Sequence, residues 1–376
     1  MADQQNGTSG HPPPLQNGTN ASTNGTHATA RSASGRDGKL RVNKQDKQAT
    51  LANPEALEDS DYSDEDAPPP DQIAADEDLL EGVDPEEEDI ELLHSKITSI
   101  PALRLERYKN IKRLCLRQNQ IQRIELPESS RPQLEELELY DNLIKHIDGV
   151  EDCTALTQLD LSYNKIKHIK HLAKLTKLDH LYFVQNRISK IEGLEELTQL
   201  TYLELGANRI KEIDGIETLT KLESLWLGQN KITELKGLST LSNLRSLSIQ
   251  ANRLTSLNGI ESIPQITELY VSDNKITSLE PLRHNTKLEM LDFQSNPISS
   301  LAGLEDLKEL ENVWASNCQV DSFQEIERAL KDKEKLDEVY FEGNPVQRQN
   351  PVLYRNKVRL ALPQVTKIDA AYVKQT

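Results

Sequence analysis

Cysteine and aromatic residues are scarce in this chain of 376 residues, which contains three cysteines, two tryptophans and four phenylalanines. The cysteines, at positions 115, 153 and 318, are too few and too widely spaced to indicate a disulfide framework or a zinc site. No run approaches the roughly 18 apolar residues of a membrane-spanning helix, so we expect no membrane partner. The glycosylation sequons near the start follow no apolar leader, and we therefore expect an intracellular protein.

Basic residues are absent from positions 51–89, which contain 17 Asp or Glu. This number equals the whole formal net charge of −17, so the remaining 44 acidic and 44 basic residues balance. Because a nucleic-acid partner needs a basic stripe on the folded part, we expect none. Residues 1–88 are predicted to be a disordered tail, acidic from residue 51. Ser60 and Ser63 precede acids in SDYSDED, which suits either an acid-directed kinase or a solvated linker.

Catalytic motifs are also missing from the sequence. It has no glycine-rich phosphate loop, no H-E-x-x-H and no Gly-x-Ser-x-Gly elbow. Asp160 and Asp292 lie six repeats apart, about 29 Å, which is too far for paired catalytic carboxylates. We predict no enzyme activity, no cofactor and no metal site.

What the sequence does contain is a repeat: leucine, any residue, leucine, two more residues, then asparagine. Eight equal steps of 22 residues lead from Asn142 to Cys318, and Asn119 and Asn344 continue the series. This period lies within the range of leucine-rich repeats. We refer to the residues at this position as the ladder residues. They are Asn119, Asn142, Asn164, Asn186, Asn208, Asn230, Asn252, Asn274, Asn296, Cys318 and Asn344.

Within one repeat, 195–216, each position has a predicted role. Leu203 and Leu205 flank one outward residue on a short strand and point into the core. Asn208 follows the strand, where its amide can bond backbone groups of neighbouring turns. A glycine recurs at the next turn as Gly215, where a positive φ would suit it. His171 and Pro281 replace this glycine in two repeats, so those turns are expected to differ locally.

One repeat cannot bury its own apolar face, so the repeats must stack into a solenoid. We predict an α/β arc of about eleven 22-residue repeats over residues 89–345, followed by a C-terminal cap over 346–376. Parallel strands should line the concave face, with short helical or 3-10 turns on the convex face. Helical spacing is also predicted over 323–336, and a last helix should stop near Pro363.

The period aligns one outward residue per strand, four residues before the ladder residue. This inner column consists of Cys115, Glu138, Asp160, Tyr182, Glu204, Trp226, Ser248, Tyr270, Asp292, Trp314 and Tyr340. Both tryptophans of the chain fall in it, and aromatics alternate with carboxylates. Exposed aromatics with a polar rim usually mark an interface. The predicted partner-binding residues are Asp160, Tyr182, Glu204, Trp226, Tyr270, Asp292, Trp314 and Tyr340. The second column of outward residues, two positions earlier on each strand, has a less distinctive composition.

The segments CLRQNQI (115–121), ELYDNLI (138–144), LWLGQNKIT (225–233) and LALPQVTKIDAAYV (360–373) carry a family resemblance. From residue 89 onward the chain resembles the leucine-rich-repeat regulatory subunit of protein phosphatase 1, the regulatory subunit 7 family. The resemblance implies that the concave face binds the phosphatase catalytic subunit. Its contact positions correspond to Asp160, Tyr182, Glu204, Trp226, Asp292, Trp314 and Tyr340. Asn312 stands where the family has an acid.

The same resemblance implies a non-catalytic subunit that controls the activity or location of the phosphatase. It further implies a nuclear and also cytoplasmic protein with a part in the cell cycle, and the phosphatase inhibitor-3 protein as a possible third component. The alternative is a generic repeat adaptor for another intracellular protein, such as a cytoskeletal or spliceosomal one.

Overall fold

The computed structural model describes residues 79–373 and the backbone of two short strands before them, β1 (Leu40–Val42) and β2 (Ala49–Leu51). These two strands pair antiparallel. The remainder of residues 1–78, including Ser60 and Ser63, lies outside the described residues.

From residue 89 onward the chain forms one 14-stranded sheet in sequence order. Its strands are β3 (Asp89–Glu91), β4 (Arg113–Cys115), β5 (Glu136–Glu138), β6 (Gln158–Asp160), β7 (His180–Tyr182), β8 (Tyr202–Glu204), β9 (Ser224–Trp226), β10 (Ser246–Ser248), β11 (Glu268–Tyr270), β12 (Met290–Asp292), β13 (Asn312–Trp314), β14 (Glu338–Tyr340), β15 (Lys367–Ile368) and β16 (Ala371–Tyr372). All pairings are parallel except the last, β15 with β16. The predicted solenoid of about eleven turns is confirmed.

Helical structure is sparse, because each repeat returns to the sheet through tight turns. The 3-10 turns are Pro101–Leu103, Leu105–Arg107, Arg131–Gln133, Ile260–Ser262 and Glu280–His284. The α-helices are α1 (Phe323–Leu330), α2 (Pro345–Arg348) and α3 (Tyr354–Ala361). The first is shorter than the predicted helical stretch, whereas the last ends close to Pro363 as expected. None of the helices in the described part is long and apolar enough to cross a membrane.

The core is a continuous apolar layer between the strands and the turns. In the repeat 195–216, Leu203 and Leu205 are fully buried, as are Ile210 and Ile216. The core also includes Leu80, which lies before the first predicted repeat and whose carbonyl accepts a hydrogen bond from the Tyr108 hydroxyl at 2.9 Å. Packing against the solenoid therefore begins upstream of residue 89.

The ladder asparagines bind successive turns to one another as predicted. Asn230 is typical: its Nδ2 donates to the Leu205 carbonyl of the preceding turn at 2.9 Å. Its Oδ1 accepts from the backbone N–H of Ile210 at 2.9 Å. Because these backbone groups are buried, leaving them unpaired would cost about 1–3 kcal/mol each.

The predicted glycine turns adopt positive φ. At Gly259, φ is 104° and a Cβ would lie 2.0 Å from the Leu235 carbonyl oxygen, so no side chain fits without a shift of the backbone. His171 takes the corresponding position with φ 66°, which means that its backbone follows the glycine turns. The expectation of a different turn was therefore wrong for His171. At Pro281 the turn does differ, since it becomes a 3-10 helix.

Candidate functional site

The inner column exists as a cross-strand row. The register of the parallel strands pairs Asp160 with Tyr182, Tyr182 with Glu204 and Glu204 with Trp226. It continues through Ser248 and the remaining members to Tyr340. Strands of only three residues present the same two outward positions on every turn, so residues 22 apart in sequence become direct neighbours.

Exposure within the row is less uniform than the sequence suggested. Cys115 is 1% exposed, Ser248 2%, Asp292 5% and Glu138 8%. The expectation that every member faces solvent was therefore wrong for these four. Ser248 and Asp292 each lie between two aromatic residues of the row, and these larger side chains cover them. The other predicted contact residues are half-buried.

The centre of the face is a continuous aromatic cluster. The rings of Trp226 and Tyr270 stack at a centroid distance of 5.9 Å, although β10 lies between their strands. They meet across Ser248, whose small side chain leaves room beneath them. Tyr202 extends the cluster, with ring centroids 6.4 Å from Trp226 and 5.1 Å from Tyr182.

The column of outward residues two positions before the inner column also contributes rings to the aromatic cluster, which the sequence did not indicate. Tyr202 belongs to it, and so does His180, whose ring stacks on Tyr202 at 5.5 Å. We call these five rings the aromatic ridge: His180, Tyr182, Tyr202, Trp226 and Tyr270. Sequence reasoning treated carboxylates as separating the aromatics, whereas the structure brings the rings together. The available signal was the two-residue spacing, which places both columns on one face.

A second aromatic pair lies towards the C-terminal end of the face. Trp314 and Tyr340 contact edge to face with centroids 5.7 Å apart. Met290 and Asp292 on β12 lie between this pair and the ridge, and both are buried. The concave face therefore offers two aromatic anchors separated by a strand.

The carboxylates of Asp160, Glu204 and Asp292 on the concave face are partly removed from solvent. Burial raises the pKa of Asp160 above its ordinary value, although hydrogen bonds from Ser162 lower it. Burial likewise raises the pKa of Glu204 and of Asp292. No described Lys, Arg or His forms an ion pair with these three carboxylates, whereas Glu138 is paired with Arg113 at 3.0 Å. Within the described part of the chain, the centre of the face is thus an acidic surface whose three carboxylates form no ion pair.

The tyrosine hydroxyls stay protonated at neutral pH. Burial raises the pKa of Tyr182 to about 12 and raises the pKa of Tyr202 and Tyr270 as well, with nearby carboxylates adding to the shift. The Tyr202 hydroxyl donates to Glu204 at 3.3 Å, and that of Tyr270 donates to Glu268 at 3.4 Å. These contacts orient the carboxylates on the face.

The indole N–H groups of the two tryptophans lack hydrogen-bond partners within the described structure. The indole Nε1 atoms of Trp226 and Trp314 are buried, and neither has a hydrogen-bond partner among the described residues. An unpaired buried donor costs free energy, so these side chains contribute less to stability than their area suggests.

One group of possible metal ligands lies away from this face. Asp148, Glu151 and His171 place ligand atoms within 4.8 Å of one another. Each imidazole nitrogen already faces a carboxylate, since Nε2 is 3.2 Å from Asp148 and Nδ1 is 3.2 Å from Glu151. Both imidazole nitrogens of His171 thus lie beside carboxylates of the same group.

Comparison with known proteins agrees with the geometry. The family profile described as Leucine Rich repeats (2 copies) matches residues 176–217, 198–240 and 242–284. An internalin of Listeria monocytogenes superposes with a TM-score of 0.58 at 25% identity, covering 77% of this chain and 87% of its own. A leucine-rich-repeat protein of Leptospira interrogans superposes with a TM-score of 0.54 at 22% identity over 72% of this chain and 81% of its own, which shows the fold alone. The chain is a leucine-rich-repeat solenoid.

Two curated relatives of this solenoid carry the name protein phosphatase 1 regulatory subunit SDS22. That of Saccharomyces cerevisiae is 49% identical over 108 residues, covering 28% of this chain and 32% of the relative. That of Schizosaccharomyces pombe is 50% identical over 88 residues, covering 23% and 25%. The match thus spans a third or less of either relative. The resemblance to phosphatase regulatory subunits is confirmed.

Proposed function

We propose that this solenoid is a regulatory subunit that binds the catalytic subunit of protein phosphatase 1 through its concave face and controls its activity or location. The observation that carries the proposal is the aromatic ridge bordered by carboxylates that form no ion pair with any described residue. Trp and Tyr are enriched at binding hot spots. The names of the two relatives supply the identity of the partner, which the geometry alone would leave open.

The dimensions of the face suit one folded domain. About eleven strands at a spacing of about 4.8 Å give an arc roughly 50 Å long. A globular domain of about 300 residues has a diameter close to 50 Å. The partner surface should carry basic residues opposite Asp160, Glu204 and Asp292, because unpaired acids select opposite charge.

Replacing Glu204 with glutamine is expected to weaken phosphatase binding at least about tenfold, since losing one desolvated charge pair costs about 2 kcal/mol. The substitution keeps the size of the side chain and an acceptor for the Tyr202 hydroxyl. Titration of the full chain with purified catalytic subunit measures the change. Glu196→Gln is the matched control because Glu196 is exposed and lies away from the strands.

Equal affinity of the Glu204→Gln and Glu196→Gln variants would contradict docking on the concave face. Absence of any complex between the wild-type chain and the catalytic subunit would overturn the phosphatase proposal altogether. Capture of a cytoskeletal or spliceosomal protein on the same face would then support an adaptor.

Phosphatase affinity is also expected to fall as the pH is lowered. In the free protein burial raises the pKa of Asp160, Glu204 and Asp292. A basic partner would lower these pKa values, so the complex holds fewer protons than the free protein and acid favours dissociation. Titrations from about pH 7 down to about pH 4 should show the affinity falling once the pH comes down to the raised pKa values of the free protein. The combined variant Asp160→Asn, Glu204→Gln and Asp292→Asn should bind more weakly, with a flatter profile; an unchanged slope would refute the linkage.

We further propose a nuclear as well as cytoplasmic location and an assembly with the phosphatase inhibitor-3 protein. Only the family resemblance supports these two points. Fluorescence imaging of the tagged full chain and co-purification with the phosphatase would test them.

A further inference from the structure

The outer face of helix α3, in the C-terminal cap, exposes large apolar side chains. Val352 is 87% exposed, Leu353 54% and Leu360 76%. Single exposed leucines are ordinary on a protein surface, whereas a group of them within two helical turns indicates a contact surface. We call Leu353 and Leu360 the apolar stripe of the cap.

Helical geometry places the two members of the stripe on one line. Leu353 directly precedes α3 with φ −98° and ψ −10°, so it continues the helical turn. It lies seven residues before Leu360, which is two turns or about 10.5 Å along the axis. Asn356 lies between them at the spacing of three and four residues that is typical of helix–helix contacts. The other side of α3 packs inward, since Tyr354 and Val358 are buried.

The segment around the stripe is basic. No Asp or Glu occurs between Glu342 and Asp369, although this stretch contains five Lys or Arg residues. Two of the cations, Lys357 and Arg359, belong to α3 itself. At about 100° per residue they lie on opposite sides of the stripe. The outer face of the helix is thus an apolar line flanked by positive charge.

The two flanking cations are not paired with acids. Within the described part of the chain, neither Lys357 nor Arg359 forms an ion pair with a carboxylate. The ammonium group of Lys357 donates to Asn350 Oδ1 at 2.9 Å and lies 4.9 Å from the centre of the Phe323 ring, which keeps the side chain in place. Because opposite charges favour association, a partner complementary to this face is acidic.

We propose that the outer face of α3 docks an acidic amphipathic helix of a partner protein. The apolar side chains of the docked helix pack on Leu353 and Leu360, and its flanking carboxylates face Lys357 and Arg359. This arrangement of apolar and charged positions is the one that sets partner choice in helix pairs. Since α3 already contacts α1 on its inner side, the docked helix adds a further helix to the cap.

Two other occupants fit the stripe less well. A second copy of the chain brings Lys357 and Arg359 close to identical charges, which is unfavourable. A flat anionic membrane also meets the exposed acids Asp332 and Glu334. These acids lie near the end of α3, because Gln364 Nε2 donates to the Lys331 carbonyl at 3.3 Å and to the Lys333 carbonyl at 3.2 Å. A docked helix contacts only the residues beside the stripe.

The test uses a fluorescein-labelled helical peptide of about three heptads, with leucine at the a and d positions and glutamate at e and g. Anisotropy measures its binding to the full chain. The combined variant Leu353→Gln and Leu360→Gln should bind about tenfold more weakly. The matched control combines Leu79→Gln and Leu93→Gln, which alters two leucines that are 41% and 44% exposed outside the cap. The control should change the affinity by less than about twofold.

A second pair of variants tests the charge. Arg359→Glu should weaken binding of the same peptide about fivefold, because it replaces an attraction with a repulsion. The control is Arg283→Glu, an exposed position in the 3-10 turn Glu280–His284, which should leave the affinity within about twofold. A peptide with lysine in place of every glutamate should bind at least about tenfold more weakly than the acidic one.

Thermal unfolding should show that all variants fold like the wild type. No binding of the acidic peptide to the wild type, or equal weakening by the leucine variant and its control, would overturn the proposal. Co-sedimentation with phosphatidylserine vesicles that is lost in the leucine variant would assign the stripe to a membrane instead. A dimer seen by light scattering and lost in that variant would assign it to a second copy. The leucine variant should keep its affinity for the phosphatase catalytic subunit, so the result is independent of the concave-face proposal.

Discussion

Asn230→Ala is expected to lower the free energy of unfolding by about 3 kcal/mol or more, since it leaves several buried backbone groups without partners. The amide donates to Leu205 O at 2.9 Å and Leu227 O at 3.1 Å, and it accepts from Ile210 N at 2.9 Å. Alanine can make none of these bonds. Because stability in a solenoid depends on each interface between neighbouring turns, a break in the middle should also reduce cooperativity.

Chemical denaturation followed by circular dichroism measures this loss. The control is Gln229→Ala, one residue earlier, because the neighbouring repeats already have Ala207 and Ala251 at that position with φ near that of Gln229. The control should change stability by less than about 0.5 kcal/mol. Similar losses for Asn230→Ala and the control would show that the ladder is not a major source of stability.

The single departure from asparagine supports the same reasoning. In a regular repeat the N–H two residues after one ladder asparagine donates to the next one, as Ile276 does to Asn296 at 2.9 Å. Ile298 instead donates to the Asn296 backbone carbonyl at 2.8 Å, next to Pro297. The Ile298 N–H therefore does not depend on residue 318 as its only acceptor, and the Cys318 thiol can still donate to Phe293 O at 3.4 Å. Cysteine is therefore tolerated at this turn.

Trp226→Ala and Trp314→Ala are each expected to weaken binding of the phosphatase catalytic subunit by about 2 kcal/mol or more, roughly thirtyfold. Trp226 contacts both Tyr202 and Tyr270, so its removal opens the middle of the aromatic ridge. Trp314 anchors the second pair with Tyr340. Calorimetric titration with the purified catalytic subunit measures each loss, and thermal unfolding checks that the array still folds.

Phenylalanine provides the informative control at both positions. It keeps an aromatic ring and removes an indole N–H that is buried without a partner. Trp226→Phe and Trp314→Phe should therefore retain most of the affinity and lose little stability. Full affinity in both alanine variants would place the interface elsewhere on the solenoid.

The sequence by itself determined the repeat, the strand register, the buried leucines and the bonding of the ladder asparagines. It could do so because the backbone and the core of each turn pack against the two neighbouring turns, so a 22-residue pattern carries nearly all the information about core and backbone. The predicted contact residues do share one face, as this register requires.

Only the tertiary structure decided how the side chains on that face arrange themselves. Trp226 and Tyr270 meet over Ser248, Tyr202 joins two columns that the period keeps apart, and Asp292 is covered by its neighbours. Such contacts depend on the sizes and rotamers of residues 22 or 44 positions apart. The repeat pattern specifies the backbone position from which each side chain projects. Packing among neighbouring side chains decides which rotamer it adopts and which residues it contacts.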